Sequence, residues 1–145
     1  LKARWAEDVL AQEPDWLSIM IGINDVWRQF DSPKMPEIHV GLEEYEITLE
    51  ELIISSLPGL KGLILVTPYF IEPNRSDAMR VRMDAYGDVV KALAEKHNAV
   101  LVDPQAGFDR MLEHQHPMAI AWDRVHPNTS GHALIATCFL EAVDR

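Results

Sequence analysis

An α/β fold with a parallel sheet covered by helices on both faces is predicted by three features of the sequence. Short, almost wholly apolar runs stand at 16–21, 63–66 and 99–102, and such runs suit strands buried inside a parallel sheet. Amphipathic stretches of helical period lie between and around them. The order reads α-β-α-β-α-β-α-α, and strands alternating with helices imply crossover connections.

Along the chain, Leu1, Trp5, Val9 and Leu10 recur at helical spacing, and Glu13-Pro14-Asp15 closes that helix. The first strand, 16–21, ends at Gly22. Residues 22–37 read as a loop, with Asn24, Asp25, Pro33 and Pro36 as turn formers. A second helix over 38–57 carries the stripe Leu42, Tyr45, Leu49, Leu52 and Ile53, and Pro58-Gly59 stops it. After the strand at 63–66 comes a loop with Tyr69, Phe70 and Pro73. Ser76 is the expected cap of a third helix, whose stripe is Met79, Met83, Tyr86, Val90 and Leu93. The strand at 99–102 ends at Asp103-Pro104, and a short helix carries Phe108, Met111 and Leu112. A last helix over 129–143 buries Leu134, Ile135, Cys138, Phe139 and Ala142.

Composition narrows the function. The 145 residues suit a single domain, 1–145, and 48% hydrophobic residues can fill a core. A net charge of −10 with no basic stripe argues against nucleic acid as a partner. No apolar run reaches the length of a membrane span. The lone cysteine, Cys138, forms no internal disulfide and reads as a buried thiol.

Chemistry concentrates in two places. Asp123 and His126 lie three residues apart before the last helix. An imidazole titrates near neutral pH and can take a proton from a hydroxyl nucleophile, while a carboxylate on its other nitrogen fixes the tautomer. Taken alone, D-x-x-H equally describes a surface turn. Gly22-Ile23-Asn24-Asp25 follows the first strand, where open parallel sheets place their sites. Asn24 can donate to a developing oxyanion. Asp25 reads better as an anchor accepting backbone N–H groups. Trp27, Phe30, Tyr69, Phe70 and Trp122 flank these positions and can line a pocket, although packing the core is the plainer role for Phe70. His114, His116 and His132, taken with Asp123 and His126, match no standard zinc spacing, so neither metal nor cofactor is expected.

Together the two motifs resemble a known family. Ile21-Gly22-Ile23-Asn24-Asp25 resembles the third block of the SGNH, or GDSL-type, hydrolases, and Trp122-Asp123-Arg124-Val125-His126-Pro127-Asn128 with Gly131-His132 resembles their fifth. The resemblance implies a flavodoxin-like three-layer α/β/α fold and hydrolysis of small carboxylic esters, such as acetylated carbohydrate or short acyl esters. It makes Asn24 an oxyanion donor, Asp123 the orienting carboxylate and His126 the general base. The family's Gly-Asp-Ser block and its second block do not occur in the sequence. The chain is therefore expected to be the C-terminal portion of such a domain. Two strands would be missing, 16–21 would be an open edge, and the chain by itself would lack esterase activity. Ser130 reads as a helix-start residue beside Asn128 and Thr129. Ser18 reads as buried in its strand, and Ser32, Ser55, Ser56 and Ser76 have no partner nearby in sequence. The alternative reading is a non-catalytic flavodoxin-like module that binds a small ligand or carbohydrate.

Overall fold

A computed structural model describes residues 1–144. Three parallel strands, β1 (Trp16–Met20), β2 (Gly62–Val66) and β3 (Val100–Val102), form one sheet in the order β1-β2-β3. Six helices accompany them: α1 (Trp5–Asp8), α2 (Ile23–Asp31), α3 (Leu42–Ser56), α4 (Ala78–Lys96), α5 (Pro104–Leu112) and α6 (Thr129–Val143).

The two faces of β2 show how the layers form. Successive side chains of a strand point to opposite faces. Leu63 and Leu65 pack with Tyr45, Leu49 and Ile53 of α3 and with Met83, Tyr86 and Val90 of α4. Ile64 and Val66 point the other way, joining Val102 and Cys138 under α6. The α4 stripe of Met79, Met83, Tyr86, Val90 and Leu93 is buried throughout, as its spacing predicts. On the far face, α5 and α6 come close at Gly107, where an added Cβ would lie 2.7 Å from Cys138 Sγ. Cys138 is buried, and burial raises its thiol pKa.

Several expectations need correction. The N-terminal segment is not one helix: α1 covers a single turn, flanked by 3-10 turns at Lys2–Arg4 and Leu10–Gln12. Residues 22–37 are not a loop, because α2 occupies 23–31. Asn24 and Asp25 are turn formers, but the same side chains also suit a first helical turn. Ile23, Val26 and Trp27 carry the helical spacing. Asp77, not Ser76, caps α4, accepting from the N–H groups of Met79 and Arg80, a cap of about 1 kcal/mol. β1 is not buried on both faces. Ile19 is buried against α3 and α4, but Trp16, Met20 and Ser18 are exposed, so Ser18 is not the buried serine expected. Among the described residues β1 pairs with β2 alone.

Candidate functional site

Three chain turns meet at the C-terminal edge of the sheet. After β1, the backbone swings into α2 through Gly22, which has φ +117 and lies so close to Tyr45 Oη that a Cβ would sit 3.0 Å from it. After β2, Thr67 donates from its backbone N–H to Val102 O and from Oγ1 to Asp103 Oδ1 (3.1 Å). After β3, Asp103 also caps α5 by accepting from Ala106 N. The 120–128 loop is pinned onto this edge, as Ile71 N donates to Arg124 O (3.0 Å). Asp123 and His126 thus reach the edge that also carries Asn24 and Tyr69.

The loop is built around the Asp123 carboxylate. Its Oδ1 accepts from the backbone N–H groups of Val125 (3.0 Å) and His126 (2.8 Å), and its Oδ2 lies 2.6 Å from His126 Nδ1. Burial pushes this carboxyl up, but the hydrogen bonds from the His126 N–H, the His126 ring and the Val125 N–H outweigh it and hold the pKa down at about 2. Asp123 is therefore ionised at neutral pH and can only accept. The proton of neutral His126 belongs on Nδ1, which leaves the Nε2 lone pair free as a base. The His126 side chain is 63% exposed.

The loop exit is fixed from both sides. Asn128 accepts from Ser130 N and Gly131 N, capping α6, and donates through Nδ2 to Ala119 O (2.8 Å) and through its backbone N–H to Ile120 O (2.8 Å). Asn128 is the cap and Ser130 lies in the first turn. Gly131 has no room for a side chain, since a Cβ would lie 2.5 Å from Pro127 Cβ and 3.0 Å from Ile120 Cγ2. Gly131→Ala is expected to cost about 1–3 kcal/mol by overpacking and to push Pro127 and with it His126. The checks are the urea midpoint and a crystal structure of the variant. An unchanged midpoint and loop would show that Pro127 yields freely.

Asn24 sits in the first turn of α2, exposed, at the positive end of the helix dipole. One turn on, the Trp27 indole meets the His126 ring edge to face, with centroids 5.4 Å apart and planes at 79°. Arg28 lies 4.7 Å over the same indole. Trp27, expected among pocket-lining residues, is thus a direct neighbour of the imidazole. Tyr69 is buried against Phe108, and burial together with the Asp123 charge pushes its phenol up to about 12. Phe70 is core, beneath the Arg124 guanidinium at 4.9 Å. Trp122 is 76% exposed beside Asp123, and Phe30 lies at the far end of α2. Burial raises the Asp25 carboxyl pKa, against a smaller lowering that includes its own backbone N–H, and Gln29 Nε2 donates to the Asp25 carbonyl (2.8 Å). Ser55 and Ser56 spend their hydroxyls on Leu52 O.

A cleft of about 450 Å³ lined by Val9, Leu10, Pro14, Ser55 and Pro58 lies at the opposite end of the sheet and belongs to a different region from His126. No helix among the described residues is long and apolar enough to cross a membrane.

Sequence reasoning missed the residues behind the loop. Glu72 accepts from Arg124 Nη1. Arg80, 1% exposed, donates to Asp84, Asp109 and Glu72 O. Gln105 clamps Phe70 at both backbone groups. A buried arginine on a helix of otherwise ordinary amphipathic pattern gives no local signal.

Comparison with known proteins agrees with this geometry. Residues 1–134 match the GDSL-like lipase/acylhydrolase family. The chain is 57% identical over 143 residues to an acetylxylan esterase of Geobacillus stearothermophilus, covering 99% of this chain and 65% of that protein. The chain thus spans just under two thirds of the length of the curated relative. A crystal structure of the Geobacillus stearothermophilus acetylxylan esterase superposes with a TM-score of 0.98 at 56% identity, over 100% of this chain and 66% of that one. An α/β hydrolase from the metagenome of Lake Arreo, Spain, superposes with a TM-score of 0.97 at 58% identity, over 99% of this chain and 66% of that one. Solved structures of the Geobacillus enzyme include catalytic mutants in which a serine, an aspartate, and a histidine three positions beyond that aspartate are replaced by alanine. With its parallel sheet, its Asp123–His126 pair and this family match over most of its length, the chain belongs to the GDSL-like lipase/acylhydrolase family.

Proposed function

We propose that this chain supplies the acid–base half and one oxyanion donor of a serine ester hydrolase acting on acetylated carbohydrate of the xylan type. The observation that carries the reading is the 2.6 Å contact between Asp123 Oδ2 and His126 Nδ1, with the Asp123 carboxyl held at about 2. The nucleophile is a serine hydroxyl outside residues 1–145, at the Gly-Asp-Ser block of the family. His126 Nε2 takes the hydroxyl proton as the oxygen attacks the ester carbonyl. The resulting imidazolium is stabilised by Asp123. Asn24 Nδ2 donates to the tetrahedral oxyanion, helped by the N-terminus of α2. Collapse breaks the ester C–O bond, and the His126 proton leaves with the sugar hydroxyl. Water then attacks the acyl-enzyme by the same route, releasing acetate and restoring serine. No metal or cofactor enters the scheme. Trp27 and the exposed Trp122 offer aromatic surfaces beside the site for a sugar ring, and Tyr69 forms its inner wall.

The test is acetate release from acetylated xylo-oligosaccharides by the complete gene product. Turnover of these in preference to long-chain acyl esters is the expected result. Turnover confined to long-chain esters would overturn the carbohydrate assignment. Asn24→Ala is expected to lower kcat about 10²–10³-fold with little change in KM, the effect of losing one oxyanion donor. A wild-type kcat would remove Asn24 from the mechanism.

A further inference from the structure

The Asp123–His126 loop contains a residue whose backbone is unfavourable for anything but glycine. Arg124 has φ +64, a region that side-chain-bearing residues rarely occupy. Glycine would fit there without strain, but it would forgo the contacts that the arginine makes. Nη1 donates to Glu72 Oε2, the guanidinium lies 4.9 Å over the Phe70 ring, and the Arg124 carbonyl accepts from Ile71 N at 3.0 Å. Three consecutive residues of the segment after β2 thus grip one residue of the loop.

That segment is itself held rigidly. Gln105 accepts from Phe70 N (2.7 Å) and donates to Phe70 O (3.2 Å). Arg80 donates to Glu72 O (2.8 Å). Both Gln105 and Arg80 also donate to Asp109, so α4 and α5 anchor the grip through one carboxylate. The Glu72 side chain is 13% exposed and the Arg124 side chain 42%, so the carboxylate is fixed in the fold and the guanidinium reaches it from the surface.

We infer that Glu72 and Arg124 are positioning residues for the general base. They form a charged strut that fixes the turn between Asp123 and His126, and so the direction of the His126 imidazole. The inference rests on the proposed role of His126. Neither residue touches the reacting atoms. The strut acts on the turn itself: with Arg124 held against Glu72 and Phe70, Asp123 Oδ2 and His126 Nδ1 stay in register.

The test uses Glu72→Gln and Arg124→Gly in the complete gene product. Arg124→Gly relieves the backbone strain, so it is a fold-safe way to remove the strut from the loop side. Two readouts are taken: the nitrogen chemical shifts of the His126 ring, assigned through His126→Ala, and kcat and KM on p-nitrophenyl acetate. The expected result in both variants is a His126 ring that moves from the pure Nδ1–H tautomer toward a mixture. With it, kcat falls about tenfold to a hundredfold, the scale of a small misplacement of a catalytic group. KM stays within about twofold, because ground-state binding is untouched. Wild-type ring shifts together with wild-type kcat in both variants would overturn the inference. The ring shifts are read without substrate, so a failed ester-hydrolase assignment would leave this test of geometry standing.

Discussion

His126→Ala in the complete gene product is expected to lower kcat on p-nitrophenyl acetate by about 10⁴–10⁶-fold, with KM nearly unchanged. The imidazole is asked to remove one proton and deliver it to the leaving group, and among the described residues the other histidine paired with a carboxylate, His97 with Glu50, has a longer contact of 3.1 Å against 2.6 Å for His126. Asp123→Asn is expected to cost about 10⁴-fold. The amide keeps the shape of the carboxylate, but it loses the charge that stabilises the imidazolium. Its NH₂ group can also face Nδ1 and favour the wrong tautomer. The two losses should not add, because the residues act as one unit. A double variant is expected to be no slower than His126→Ala. Full activity in His126→Ala would sink the ester-hydrolase reading, and additive losses would separate Asp123 from the histidine.

The parts of this site that could be read from sequence are those made by near neighbours in the chain. D-x-x-H works because a three-residue turn is enough to bring carboxylate and ring together. The α4 stripe and the span of α6 were legible because a long helix repeats its period many times. α2 was not, because Asn24 and Asp25 are as much at home in a turn as in a first helical turn, and nine residues offer little period. β1 misled for another reason. Its run of apolar residues implies two covered faces, but the face carrying Trp16 and Met20 is exposed here. The supports of the loop were illegible altogether. Glu72 and Arg124 are 52 positions apart, and Arg80 and Asp109 are 29 apart. Only the folded sheet edge brings them together, and each residue alone looks like an ordinary surface charge.

The Arg80–Asp109 pair should show an asymmetric response to mutation. The Arg80 side chain is 2% exposed, while Asp109 is 20% exposed. Burial disfavours the Arg80 charge, yet its bonds to Asp109 and Asp84 outweigh this and raise its pKa further. Burial raises Asp109 too, but Arg80 and then Gln105 and Arg75 hold it below 3.8. Asp109→Ala removes one of the two carboxylates on the buried Arg80 guanidinium and leaves Nη2 without its partner, while Asp84 stays on Nε and Glu72 O on Nη1; a loss of about 3 kcal/mol is expected, the low end for a broken buried pair. Arg80→Met keeps an apolar stem in the same volume. It leaves Asp109 with Arg75 (2.8 Å), Gln105 (3.0 Å) and some water, so a loss of about 1–3 kcal/mol is expected. Urea unfolding at pH 7 measures both. Equal losses, or a larger loss in Arg80→Met, would mean that the cation rather than the anion is the well-solvated partner. The pH dependence follows from the depressed carboxyl: its contribution is complete above 3.8 and disappears as pH falls toward and through the lower folded value. The stability gap between the native protein and Asp109→Ala should therefore narrow as the solution is acidified below pH 3.8, and added salt at pH 7 should leave the gap nearly unchanged because the pair is shielded.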